Sequence, residues 1–537
     1  MENIPGEKDF ACDPVRIESG SLSGLNKSNQ TRVFLGVPYA APPVGDLRWR
    51  PPQPPIPWPG VRHAGAFGPS SIQFAPPAKS IYFGGETQFS EDCLYLNVYT
   101  GSGGDSKRPV LVWFHFGAFM FGSSSNPVQD GTNLAAEGIT VVTVNYRLGR
   151  LGFLSHPELS AESGHKASGN YGLMDQIAAL EWVQRNIEIF GGDPGNVTIG
   201  GASAGGSSVL ILRSSPLLAG KSLFSKAICE SGPGLAPPIN GHGHAATFMT
   251  LTAAEEAGSE LLNLLEVPSI SHLRALPAEK IMTAHLPRGR GPWKSNLWPG
   301  SSSLSIFDTA NPIIDGYVLS QSPLAAFASG DVVDVPMLAG NVGNEGSGLP
   351  HLASVAEYRA YVKSTFGAYA DEALGIYPVK SDSEAWDRSS QLLADQVFVY
   401  STWTAARLQA RNLHSSVWYY EFLRAPPIPL DSEIIEREFA GAFHVAGTPY
   451  AFGNLDAWQW NWTEGDKSLS NNIMEAWVSF MKGGDPNKER TNDGGWLELS
   501  PSKHAVKLWD IDSRSDLVGS RFSEKISLWD KLYGVTI

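Results

Sequence analysis

Runs of apolar, β-branched residues recur along this chain, separated by stretches in which apolar positions return every three or four residues. The runs occupy 109–115 (Pro-Val-Leu-Val-Trp-Phe-His), 139–146, 197–200, 226–229, 335–340 and 417–422. Runs that are apolar on both faces suit central strands of a mostly parallel sheet covered by helices. The clearest helical pattern covers 173–187, and Gly191-Gly192-Asp193-Pro194 ends it and turns the chain into the next run. Such alternation predicts an α/β fold built on an open, doubly wound, mostly parallel central sheet. Sites in these sheets lie outside the carboxyl ends of the strands.

One of those ends carries Gly201-Ala202-Ser203-Ala204-Gly205, between the run 197–200 and the helical stretch 206–212. A G-x-S-x-G between strand and helix is the pattern of a nucleophile elbow. Strand and helix nearly touch in that turn, so the positions two before and two after the serine need minimal side chains. Gly201 and Gly205 supply them. The turn exposes the Ser203 hydroxyl, and the adjoining helix N-terminus offers free N–H groups to developing negative charge.

Residues 233–310 break the alternation. They are rich in Pro, Gly, Ser and Thr and hold one short amphipathic piece at 253–265. This segment reads as a helical insertion forming a lid or pocket wall. No linker, charge block or repeat divides the rest, so residues 15–537 are expected to form one domain behind an N-terminal extension of residues 1–14.

The formal net charge of −14, spread along the chain, argues against nucleic acid or anionic membrane as partner. No stretch reaches the roughly 20 apolar residues that span a membrane. Residues 1–10 lack the basic start and apolar core of a signal peptide, and the chain has only 3 cysteines, Cys12, Cys93 and Cys229. Both features suit a reducing compartment, and a cytoplasmic location is expected. No metal site is expected: H-E-x-x-H is absent, and His242 and His244 stand in a Gly-rich loop where solvent exposure explains them. Nor does a G-x-G-x-x-G or P-loop follow a strand, so no cofactor is expected.

A serine hydroxyl needs a base to take its proton and an acid to orient that base. Around an elbow the chain order is serine, acid, histidine. Glu345 follows the run 335–340 and precedes Gly346; alone it reads equally as a solvated loop acid. His444 stands among small and aromatic residues, in Gly441-Ala442-Phe443-His444, and alone it reads equally as a structural histidine.

Several motifs then coincide. Phe34-Leu35-Gly36-Val37-Pro38-Tyr39-Ala40, Ser90-Glu91-Asp92-Cys93-Leu94-Tyr95-Leu96-Asn97-Val98, Asn145-Tyr146-Arg147, Phe190-Gly191-Gly192-Asp193-Pro194, and Gly484-Asp485-Pro486-Asn487 after Trp477-Val478-Ser479-Phe480 all occur in order. With them the chain resembles the type-B carboxylesterases, the α/β-hydrolases that include cholinesterases and bacterial fumonisin esterases. The resemblance covers roughly residues 15–535. It implies Ser203 as nucleophile, Glu345 as acid and His444 as base. It also implies an oxyanion hole from the N–H groups of Gly117, Ala118 and Ala204, each donor worth about 10²–10³ in rate.

The departures are as informative. Phe116 and Ala118 stand where that family carries glycines; Phe116 either narrows the pocket, forming an aromatic wall with Phe119, or turns its ring into the core. The family's glutamate before the nucleophile is Ala202 here, and its glutamate after the histidine is Gly447. A half-satisfied buried network costs more than an apolar one. Joint loss of the two carboxylates therefore predicts an uncharged, apolar pocket floor at Ala202 and Gly447. The partner that the resemblance implies for Cys93 falls where this chain has Ser70 and Ser71, so that disulfide is not expected.

The chain is thus expected to be a serine esterase cleaving an ester or lactone of a bulky apolar small molecule through an acyl-enzyme. Two readings compete with it. One is an acyltransferase, lactonising or cyclising enzyme using the same pocket; the other is a catalytically inactive, esterase-like binding module.

Overall fold

The computed structural model describes residues 10–27, 29–102, 107–235, 248–284, 311–435, 437, 440–487 and 495–537. A 12-stranded sheet runs through the molecule. From one edge its strands are Phe10–Ala11, Leu25–Asn26, Thr31–Pro38, Tyr95–Gly101, Thr140–Val144, Arg108–Phe114, Gly192–Ala202, Lys226–Glu230, Met337–Val342, Val417–Phe422, Ala505–Trp509 and Arg514–Leu517. The order departs from chain order only where Thr140–Val144 precedes Arg108–Phe114. The strands from Thr140–Val144 to Ala505–Trp509 pair in parallel, and both edges are antiparallel.

The six apolar runs are all strands of this sheet. The middle ones are buried on both faces because helices such as Tyr171–Asn186 and Ala204–Ser214 cover them. Two large apolar clusters result. One holds Val112, Ile199, Leu180 and Trp182, and the other holds Leu111, Trp113, Ile228 and Leu338.

Phe10–Ala11, inside the expected extension, forms the first edge strand of the central sheet. Within the expected insertion, the described residues form helices Leu251–Leu264, Ile270–Arg274 and Ala278–Thr283. Arginines from the main body hold the last two by their carbonyls. Arg48 donates to Arg274 O and Leu276 O at 2.9 and 2.8 Å, and Arg150 donates to Ile281 O and Met282 O at 2.8 and 3.1 Å. Most of the remainder of the insertion, including His242 and His244, lies outside the described residues.

Candidate active site

Strand Gly192–Ala202 and helix Ala204–Ser214 meet at Ser203, whose backbone stands at φ 55°, ψ −119°. An L-residue holds such a conformation only when its surroundings impose it, at a cost of about 1–3 kcal/mol. The surroundings here are glycines. A Cβ on Gly201 would stand 2.3 Å from the Gly205 backbone, and one on Gly205 would stand 1.9 Å from Phe114 O. Ser203 N donates to Glu230 O at 2.9 Å, which pins the turn to the neighbouring strand.

Glu345 and His444 come from loops that run side by side. Asn344 N donates to Ala442 O at 2.9 Å, and Asn344 bridges in parallel to Phe443. His444 Nδ1 lies 2.5 Å from Glu345 Oε2. The other carboxylate oxygen accepts from Ser231 Oγ at 2.6 Å, Asn341 Nδ2 at 2.8 Å and Val342 N at 3.0 Å. Asn341 is itself fixed by the Tyr419 hydroxyl, which donates to Oδ1 at 2.6 Å. His444 is held from two further sides. Its N–H donates to Ser347 Oγ at 3.0 Å, and the Phe398 ring lies over the imidazole with centroids 4.1 Å apart. The outer nitrogen, Nε2, is buried and makes no hydrogen bond among the described residues.

The turn after strand Arg108–Phe114 is left-handed at three consecutive residues, with φ 128° at Gly117, 53° at Ala118 and 59° at Phe119. Gly117 is obligatory, because its Cβ would stand 1.9 Å from Phe121 O. The carbonyl of Gly117 accepts from Met120 N and Phe121 N at 2.8 and 2.9 Å. Two side chains brace the turn. The Gln73 amide donates to Gly122 O at 3.0 Å and accepts from Gly122 N at 2.7 Å. The His115 ring stacks on Tyr146 at 4.5 Å, and burial lowers its pKa to about 4, so it stays neutral. The N–H groups of Gly117 and Ala118 meet no acceptor among the described residues. Ala204 N, in the first turn of its helix, has no intrahelical partner either.

The Phe119 ring packs edge-on against Tyr146 and Phe153, at 6.4 and 5.3 Å, in the main core. Phe116 is likewise buried, in the second apolar cluster. Ala202 and Gly447 are buried as expected, yet the floor is not free of carboxylates. A Cβ on Gly447 would stand 3.2 Å from Oε1 of the buried Glu230. Glu230, Ser231, Asn341, Ser347 and Phe398 were not singled out from the sequence.

Cys12, Cys93 and Cys229 are free and buried. Burial pushes the Cys93 and Cys229 thiols up to about 12. Among the described residues no group of three His, Cys, Asp or Glu could hold a metal, and no helix is long and apolar enough to cross a membrane.

A glycine-flanked elbow on a mixed, largely parallel sheet, with an acid–histidine pair at neighbouring strand ends, defines an α/β-hydrolase. Comparison with known proteins places it more narrowly. The model of the carboxylesterase family matches residues 12–529. A fumonisin B1 esterase of Sphingopyxis macrogoltabida is 37% identical over 88% of this chain and 82% of its own. A para-nitrobenzyl esterase of Bacillus subtilis (strain 168) is 34% identical over 89% and 91%. A solved PNB esterase structure superposes with TM-score 0.78 at 32% identity, covering 96% of this chain and 99% of its own. The chain belongs to the carboxylesterase family, and it is a carboxylic ester hydrolase acting on small-molecule esters.

Proposed function

We propose that Ser203, His444 and Glu345 carry out ester hydrolysis through an acyl-enzyme. The observation that carries this reading is the His444–Glu345 contact of 2.5 Å beside a buried, unengaged Nε2. Glu345 holds the imidazole with its proton on Nδ1, leaving the Nε2 lone pair to act as base. Ser203 Oγ attacks the ester carbonyl as His444 Nε2 takes its proton. The tetrahedral oxyanion accepts hydrogen bonds from the N–H groups of Gly117, Ala118 and Ala204. His444 then gives its proton to the leaving alkoxide as the C–O bond breaks. Water adds to the acyl-enzyme by the same steps in reverse order and restores Ser203.

The preferred substrate in this reading is an ester of a bulky apolar molecule. Phe398 against His444 supports it, as do relatives named for fumonisin B1 and para-nitrobenzyl esters. A cytoplasmic location is part of the same proposal, supported by three free, buried cysteines. Turnover of p-nitrophenyl esters of graded acyl length, with Ser203→Ala as control, tests the assignment. Preference for the bulkier acyl groups and loss of turnover in the variant support it; activity retained in Ser203→Ala overturns it. Supplying a competing alcohol separates hydrolysis from acyl transfer.

A further inference from the structure

Glu230 closes the strand beside the elbow; Ser203 is bonded to it and Glu345 to its neighbour, while His444 is reached through Glu345. The Glu230 carbonyl accepts from Ser203 N at 2.9 Å. The next residue, Ser231, donates to Glu345 Oε1 at 2.6 Å. Its own carboxyl accepts from Tyr420 OH at 2.8 Å and from Thr448 Oγ1 at 3.1 Å. Thr448 lies in the helix Gly447–Phe452 that begins three residues after His444. A Cβ at residue 447 would crowd this carboxyl, standing 3.2 Å from Oε1.

We propose that the buried carboxyl of Glu230 is a positioning residue of this esterase, whose charge state adjusts the support given to the positive charge that forms on His444 during the reaction. The proposal rests on the assignment of Ser203, His444 and Glu345 made above. The titratable groups facing Glu230 are Glu345 from the adjacent loop, Tyr420 from the next strand and Cys229 from its own strand, with His444 just ahead of the helix bearing Thr448. Among the described residues no lysine or arginine pairs with it. Burial raises its pKa to about 7; the bonds from Tyr420 and Thr448 oppose that rise and the charge of Glu345 adds to it. With His444 neutral, two adjacent carboxylates disfavour each other's charge. Once the imidazolium forms, a negative Glu230 becomes favourable. The enzyme therefore gains turnover as Glu230 loses its proton, while ground-state binding of a neutral ester changes little.

The test is the pH dependence of kcat in wild type and in Glu230→Gln, which keeps the shape and can still accept from Tyr420. The wild-type acid limb is expected to show two ionisations and the variant one. At pH 8–9 kcat of the variant falls about 3–10-fold, its KM stays within about twofold, and the difference vanishes near pH 5. A carboxyl band that titrates near neutrality in difference infrared spectra of the wild type disappears in the variant. Tyr420→Phe gives a second reading should the first variant fold poorly: loss of that donor moves the Glu230 ionisation to higher pH. An identical pH profile in Glu230→Gln, a decrease by the same factor at every pH, or an unmoved ionisation in Tyr420→Phe overturns the proposal. Loss of turnover in Ser203→Ala together with any of these leaves the triad standing and removes only Glu230's role. Turnover retained in Ser203→Ala removes the triad itself.

Discussion

A Cβ on Gly205 would stand 1.9 Å from the carbonyl oxygen of Phe114, so the elbow helix and the strand Arg108–Phe114 touch backbone to backbone. Neither atom belongs to a flexible side chain, and nothing near the contact can give way cheaply. Gly205→Ala is expected to lose about 1–3 kcal/mol or more to overpacking, together with esterase activity, because Ser203 and the turn at Gly117 and Ala118 would be pushed apart. Urea unfolding and turnover on one ester check it; an unchanged midpoint with full activity contradicts it.

Ala118 is left-handed at φ 53° without being glycine. Its proposed contribution is a backbone N–H, which Ala118→Gly keeps. Left-handed geometry costs an L-residue roughly 1–2 kcal/mol, part of which the variant regains. The expected outcome is a melting temperature that is equal or higher, with kcat within a few-fold of wild type. A hundredfold loss of kcat would show that the Ala118 methyl, rather than its N–H, matters.

Glu345 grips the imidazole with one oxygen and accepts three donors with the other. Glu345→Gln keeps the volume but lets the imidazole settle with its proton on the wrong nitrogen. A drop in kcat of about ten-thousand-fold is expected, with KM little altered. Steady-state kinetics decide it, and a loss below tenfold would assign the orienting role elsewhere.

Ala202 has no exposed surface, and the acids near the elbow are already Glu230 and Glu345. Ala202→Glu adds a third carboxylate to a region where no lysine or arginine pairs with the first two among the described residues. The variant should melt several degrees lower or turn over at least tenfold more slowly. Normal melting and normal turnover together contradict this account of the floor.

Glu230 also ties stability to pH. Its folded pKa is raised to about 7 from the ordinary 4.5. Between those values the folded state keeps a proton that the unfolded chain has released, so stability falls as pH rises through this window and levels off above it. The full span is worth about 3 kcal/mol. Glu230→Gln lacks the loss, so its melting temperature relative to wild type should climb from pH 5 to pH 7.5. A constant difference across that range contradicts the buried, protonated acid.

The parts of this architecture that were legible in the sequence are those fixed by short-range rules. Strands buried on both faces show as unbroken apolar runs, and an elbow shows its glycines beside its serine. The strand Tyr95–Gly101 was read only as part of a family motif, because its tyrosines, asparagine and threonine obscure an apolar run. Its partners Thr31–Pro38 and Thr140–Val144 are needed to bury it. Phe119 was expected at the pocket because it follows Gly117 and Ala118; that its ring meets Tyr146 and Phe153, 27 and 34 positions on, is not visible in the sequence. Glu230 could not be told from a solvated acid. The groups that bury it, Tyr420 and Thr448, lie 190 and 218 positions away. Loss of the family's two glutamates was visible locally, whereas a third carboxyl reaching the same space was not.

On the proposed mechanism Ser203 becomes acylated during turnover, which mass spectrometry after quenching with a slowly hydrolysed ester or a fluorophosphonate reads out. One adduct per chain is expected, on the peptide containing Ser203, absent in Ser203→Ala and strongly slowed in Glu345→Gln. Ester turnover at the full rate with no adduct on Ser203, or an adduct on another residue, would contradict it.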